Sequence, residues 1–204
     1  MDLNEAKNIA NDFERLKEQA TEKIQNVVYW QIPNFISDET CDYLIEALDK
    51  RNHESAPVIH GEGEAVNLDI RDVKRCALPL HLGIAPAMAG AALHVNQLAW
   101  KFDIDCLNQA EYLSYTEKGH YTSHTDTLLN RNQKECRKLT INLFLNDDFE
   151  GGKFYMNTEQ EKTYPDQAKG TLLVFPSFLL HGVEPVISGK RKNIIGWMCG
   201  PWFK

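Results

Sequence analysis

The chain has 204 residues, room for one domain of ordinary size and at most a helical extension. With 43% hydrophobic and 25% charged residues the composition is globular, which excludes a disordered or fibrous protein. Twenty-nine acids against 22 Lys and Arg leave a net charge of −7, so nucleic acid is disfavoured as a partner, and no apolar run is long enough to span a bilayer.

Residues 1–26 carry Ala6, Ile9, Ala10, Phe13, Leu16, Ala20 and Ile24 at spacings of three and four, which predicts a one-sided amphipathic helix. Its stripe packs on the rest of the domain or on a second subunit; both readings stay open at this point. Val27–Ile32 is a short strand. Ser37-Asp38-Glu39 reads as a helix N-cap with acids in the first turn, leading into Tyr43, Leu44, Ala47 and Leu48. Residues 51–70 read as loop, and a second helix is expected from about Ala85 to Trp100. After Gln109 the texture changes to short Tyr-, Thr-, Leu-, Val- and Phe-rich runs: Tyr112–Tyr115, Tyr121–His124, Leu139–Asn146, Lys153–Met156, Thr171–Phe175, His181–Val186 and Arg191–Met198. Turn residues separate them. The predicted class is α+β: a sandwich or jelly roll with helices packed on one face.

The cysteines (Cys41, Cys76, Cys106, Cys136, Cys199) are odd in number, widely spaced and free of any Cys-x-x-Cys. Together with an N-terminus that lacks a cationic-then-apolar order, they read as reduced thiols of a cytoplasmic protein.

His124-Thr125-Asp126 places an imidazole and a carboxylate on one side of an extended segment. Alone the pair is weak, because a chain with this many His and Asp forms one by chance about as often as not. His181, after the apolar strand Thr171–Phe175, is either a satisfied core side chain or a third ligand. Two His and one carboxylate leave positions open, which suits non-haem Fe(II); a structural zinc would want four closed ligands. His120 shares parity with His124 and competes for the fourth position. Ten residues past His181 comes Arg191, within Gly189-Lys190-Arg191. A three-residue hairpin loop puts it on the sheet face of His181. An inward guanidinium needs an anion, and a five-carbon diacid spans from metal to Arg191. The alternative is a solvated basic turn, Lys190-Arg191-Lys192.

The joint pattern of Tyr115, Tyr121, His124-Thr-Asp126, Arg137-Lys138-Leu139-Thr140, Leu143–Asn146, Phe149-Glu150-Gly151-Gly152, Phe175-Pro176-Ser177, His181-x-Val-x-Pro185-Val186 and Gly189-x-Arg191 resembles the Fe(II)/2-oxoglutarate-dependent dioxygenases. The match is closest to their prolyl 4-hydroxylase-like branch and covers roughly residues 109–202. The resemblance implies a double-stranded β-helix, with residues 27–204 as the dioxygenase domain behind the helix of residues 1–26. It implies His124, Asp126 and His181 as iron ligands, Arg191 as the anchor for the distal carboxylate of 2-oxoglutarate, and Tyr115 as its helper. Tyr121 then lines the substrate side and Trp197 forms a wall behind the co-substrate. Phe144 stands where oxygen-sensing relatives have Tyr and donates no hydrogen bond. The implied cofactors are Fe(II), 2-oxoglutarate and O₂, with ascorbate as a reductant that keeps iron ferrous. The implied reaction hydroxylates an aliphatic C–H of an amino-acid-like, peptidyl or small-molecule substrate with release of succinate and CO₂. Two other classes compete: a cupin-like metal enzyme without 2-oxoglutarate, and a non-catalytic jelly-roll binding module. Gly151-Gly152 reads as an ordinary turn. Arg131, Lys134, Arg137 and Lys138 read as a solvated face or as a lid that recruits a carboxylate substrate.

Overall fold

Strand parity and helix capping build this fold from the sequence with few exceptions. The computed structural model describes residues 28–60, 63–127, 135–157 and 161–203; the expected helix of residues 1–26, together with Arg131 and Lys134, lies outside them. The element order is β1 (Trp30–Ile32), α1 (Asp38–Asp49), β2 (Glu54–Ser55), β3 (Val58–His60), β4 (Gly63–Ala65), β5 (Arg71–Asp72), β6 (Lys74–Ala77), a 3₁₀ turn, α2 (Ile84–Leu98), β7 (Cys106–Tyr115), β8 (His120–His124), β9 (Cys136–Phe144), β10 (Glu150–Gly151), β11 (Phe154–Asn157), β12 (Lys162–Thr163), β13 (Leu172–Pro176), β14 (His181–Val183), β15 (Val186–Ser188) and β16 (Arg191–Gly200).

A seven-stranded sheet runs β1-β13-β9-β16-β7-β6-β2 and a five-stranded sheet runs β12-β11-β14-β8-β5, with two small ribbons, β10-β15 and β3-β4. The two large sheets form a jelly roll. Alternate residues of the larger sheet serve two cores. Leu139, Ile141 and Leu143 of β9, Leu172 and Val174 of β13, and Ile194 and Met198 of β16 meet the helices on one face. Phe144, Leu173, Phe175, Ile195 and Trp197 point the other way, toward Phe154, Met156 and Val183 of the smaller sheet. A one-residue slip would exchange the two sets, so the pattern fixes the register.

The helices pack as their sequences direct. Ser37 caps α1 by accepting from the Thr40 amide, and Asp38 and Glu39 sit in the positive first turn. Cys41, Leu44 and Leu48 form its buried stripe. In α2, Ala85, Ala91 and Ala92 are buried beside Met88 and Val95, and such small side chains let the helix lie close to the sheet.

Three expectations need correction. Residues 51–70 are not plain loop: they carry β2, β3 and β4, which are two- and three-residue strands too short and polar to show a period. The β core begins earlier than expected, since β7 starts at Cys106 and β9 at Cys136. Arg191 does not share a sheet with His181; β14 belongs to the smaller sheet and β16 to the larger one. Both side chains instead reach the space between the sheets from opposite walls. No helix among the described residues is long and apolar enough to cross a membrane.

Candidate active site

His124 ends β8 and His181 opens β14, and the antiparallel pairing sets them directly opposite each other. Asp126 lies two residues beyond His124, in a turn held by its own amide, which donates to the Ser177 carbonyl at 2.8 Å. One ligand atom from each of the three lies within 4.8 Å of the others. His181 Nε2 is 3.4 Å from Asp126 Oδ2, and His124 Nε2 is 3.7 Å from Asp126 Oδ1. Nδ1 of His124 lies 2.8 Å from the Thr122 carbonyl, and Nδ1 of His181 lies 2.8 Å from the Leu179 carbonyl. A carbonyl only accepts, so each Nδ1 carries a proton, and Nε2 is the ring nitrogen left to face the carboxylate and a metal ion. Thr140 Oγ1 donates to Asp126 Oδ2 at 2.8 Å and also meets Ser177 Oγ at 3.0 Å.

The electrostatics favour ligation. Burial, reinforced by His181, pushes His124 down to about 3, so its ring is neutral at physiological pH. Burial pushes the Asp126 carboxyl up, but His181, His124 and Arg137 outweigh it and hold the group well below the usual carboxylate range. A neutral His124 ring and an anionic Asp126 carboxylate are thus ready for a metal ion without a proton change. His120 does not compete as a fourth ligand: its ring nitrogens face the Lys118 and Asp69 carbonyls, at 2.9 and 3.2 Å. His53 faces the Leu48 carbonyl at the end of α1.

A cavity of about 490 Å³ opens from these three residues, and Tyr115, Arg191, Asn193 and Trp197 line its larger-sheet wall. Arg191 is only 1% exposed. Its Nη1 donates to Asn193 Oδ1 at 2.6 Å, and Asn193 in turn donates to Asn142 at 2.7 Å. Burial lowers the guanidinium to about 10, so it stays charged at neutral pH and carries a desolvation cost. Tyr115 is its cross-strand partner, with the guanidinium carbon 5.1 Å from the ring. Burial raises the Tyr115 hydroxyl and Arg191 partly offsets that rise. Phe144 contributes only a ring face, 5.6 Å from the same carbon, so the polar neighbour of Arg191 is Asn193. Asn193 is two residues along β16 on the same face, a relation that parity alone reveals.

Tyr121 stacks on His124 with ring centroids 3.5 Å apart and a 16° tilt, and burial pushes its hydroxyl up to about 12. Trp197 is buried beneath the Arg137 guanidinium, 3.9 Å from the ring. Lys138 is also buried, its ammonium 3.5 Å from the Phe203 ring. A solvated basic face therefore does not describe these two residues, which start β9 rather than a loop. Gly152 has a role that its turn reading missed. At φ +57 a Cβ there would meet Val186 Cγ2 at 2.8 Å and Arg191 Cδ at 3.4 Å, so the absent side chain leaves room for the arginine stem.

The residues fit a divalent metal and a dicarboxylate. His181 Nε2, Arg191 Nε and Arg191 Nη2 are buried without a hydrogen-bond partner among the described residues. Orphaned atoms of this kind are costly unless a ligand satisfies them. The nitrogen of His181 calls for a cation, and the two N–H groups of Arg191 call for an oxyanion.

Comparison with known proteins agrees. Residues 110–199 match the family model of the 2OG-Fe(II) oxygenase superfamily. A PKHD-type hydroxylase of Crocosphaera subtropica is 30% identical over 95 residues, covering 45% of this chain and 43% of its own length. One from Thermosynechococcus vestitus is 34% identical over 82 residues, covering 38% of this chain and 37% of its own length. The chain thus spans less than half the length of these curated relatives. Among solved structures, a Pseudomonas putida prolyl-4-hydroxylase has a TM-score of 0.69 at 19% identity, covering 93% of this chain and 98% of that one. A prolyl hydroxylase from Trichoplax adhaerens, solved with a hypoxia inducible factor peptide fragment, has a TM-score of 0.75 at 18% identity, covering 93% and 91%. These two show the shared fold.

Proposed function

We propose that this chain is an Fe(II)- and 2-oxoglutarate-dependent dioxygenase that hydroxylates an aliphatic C–H of an amino-acid-like, peptidyl or small-molecule substrate, a reading supported by the match of residues 110–199 to the family model of the 2OG-Fe(II) oxygenase superfamily. The observation that carries the reading is the pairing, across one cavity, of a His-Asp-His cluster with a buried guanidinium that has two unsatisfied donors. A cupin-like enzyme has no use for that deep cation, and a non-catalytic module has no use for either.

In this mechanism His124 and His181 would hold the metal through Nε2, and Asp126 would hold it through a carboxylate oxygen. Bound iron supplies the oxidative chemistry, coupling 2-oxoglutarate decarboxylation to substrate hydroxylation. The chain's residues do the rest. The Thr122 and Leu179 carbonyls fix both imidazole tautomers, and Thr140 orients the aspartate. Arg191 binds the distal carboxylate through Nε and Nη2 while Asn193 holds Nη1, so the guanidinium plane cannot rotate. Tyr115 covers the guanidinium and Trp197 closes the wall, which keeps water from the reacting centre. Tyr121, stacked on His124, sets the substrate side.

The test is anaerobic loading with Fe(II) and 2-oxoglutarate, then admission of O₂ and measurement of succinate. Succinate formation that depends on both Fe(II) and O₂ supports the proposal. Metal-dependent turnover that persists without 2-oxoglutarate refutes it.

A further inference from the structure

The cavity holds a second set of unsatisfied charges, away from the metal ligands and Arg191. Arg71 and Glu111 both line it, and both are more than nine-tenths buried. Arg71 Nη1 donates to the Pro57 carbonyl at 3.0 Å, and its guanidinium carbon lies 4.7 Å from the Tyr121 ring centroid. Its Nε is buried with no hydrogen-bond partner among the described residues. Glu111 Oε1 accepts from Arg75 Nη1 and Gln109 Nε2, each at 2.6 Å, yet Oε2 is buried with no partner among the described residues.

Arg75 is shared with Glu54, which its Nη2 approaches at 2.9 Å. One guanidinium thus serves two carboxylates, and the buried one keeps Oε2 without a partner among the described residues. The subsite is distinct from that of the dicarboxylate. Along β7, Glu111 lies four residues from Tyr115, the partner of Arg191, or about 13 Å. A carboxylate at Glu111 would repel a second dianion. Arg71 and Glu111 nevertheless line the one cavity.

We infer that the substrate is a small zwitterion of the free α-amino-acid class, its carboxylate taken by Arg71 Nε and its ammonium by Glu111 Oε2. This deepens the oxygenase reading and rests on it. Each orphan atom then gains a charge-assisted bond. An internal residue of a peptide offers neither charge. Tyr121 contacts both the Arg71 guanidinium and the His124 ring, so Arg71 lies one side chain away from the metal-ligand cluster.

The test is binding to the anaerobic holoprotein, Fe(II) and 2-oxoglutarate present, followed by native mass spectrometry and calorimetry. The probes are the common L-amino acids, the same set N-acetylated, the same set as methyl esters, and capped tripeptides. Saturable one-to-one binding of at least one free amino acid, weakened about tenfold or more by either blocking group, is the expected result. Glu111→Gln and Arg71→Lys should each weaken it about tenfold or more, Glu111→Gln more for the free amine than for its 2-hydroxy analogue. Equal binding of free and blocked forms, binding of capped tripeptides instead, or binding of no probe overturns the inference. The same titration follows 2-oxoglutarate. If 2-oxoglutarate fails to bind, the oxygenase reading itself falls; if it binds while free amino acids do not, only this inference falls.

Discussion

Arg191→Met removes the charge that the account places against 2-oxoglutarate while keeping a side chain of similar length. In the wild-type protein without co-substrate, burial lowers the guanidinium from 12.5 to about 10. A shift of that size corresponds to a cost of about 3 kcal/mol for keeping the charge. The variant recovers that cost but orphans Asn193 Oδ1, which accepts from Nη1 at 2.6 Å, and that loss is about 1–3 kcal/mol. The two nearly cancel, so without 2-oxoglutarate the stabilities should agree within about 1–2 kcal/mol. Ligand binding separates them. Losing the contacts of Nε and Nη2 should cost about 2–4 kcal/mol, or about 30- to 1,000-fold in affinity. At a hundredfold its dissociation constant, 2-oxoglutarate should stabilise the wild type by about 2.7 kcal/mol, a rise of about 5–10 °C in Tm, and the variant hardly at all. Differential scanning fluorimetry of anaerobic, metal-loaded protein reads both numbers. A variant several kcal/mol less stable without ligand, yet still shifted fully by 2-oxoglutarate, would refute the assignment of Arg191.

Other expectations test separate parts of the site. Thr140→Val removes the hydroxyl that orients Asp126 and should weaken metal binding about 10- to 100-fold, measured by anaerobic Fe(II) or Mn(II) titration, with the fold intact by circular dichroism. Gly152→Ala forces a side chain into positive φ and against Val186 and Arg191; it should destabilise by about 1–3 kcal/mol in urea melts and also weaken 2-oxoglutarate binding. The lowered pKa of Arg191 means the unfolded chain binds more protons than the native one above about pH 10, so the stability of the wild type relative to Arg191→Met should rise with pH through that window and stay flat between pH 6 and 9. Leu44→Ala, in the buried stripe of α1, should cost about 2–5 kcal/mol of stability without altering the pH profile of turnover.

The pairing of His124 with Asp126 was legible because a two-residue spacing is a short-range signal. His124 and Asp126 sit side by side in the chain, and the apolar strand before His181 marks where the partner wall lies. The long alternating runs of β9, β13 and β16 declared two buried faces, and Ser37-Asp38-Glu39 declared the start of α1. What stayed hidden depends on pairing between distant segments. Arg71 and Glu111 are 40 positions apart in the chain, and neither belongs to a motif; only the placement of β5 and β7 brings them to one cavity. The strands of residues 51–70 are too short for a period to appear. Thr140 and Asn193 are ordinary inward positions until the third dimension shows them against Asp126 and Arg191. The hairpin argument for Arg191 reached the cavity by an incorrect route, because β14 and β16 lie in facing sheets and parity within one hairpin never applied.

The most direct measurement is a crystal structure of the anaerobic protein with Mn(II) in place of iron and 2-oxoglutarate bound. The account predicts one metal ion touching His124, Asp126 and His181 and one co-substrate carboxylate on Arg191 Nε and Nη2. A metal ion held elsewhere, or 2-oxoglutarate lying away from Arg191, would contradict it.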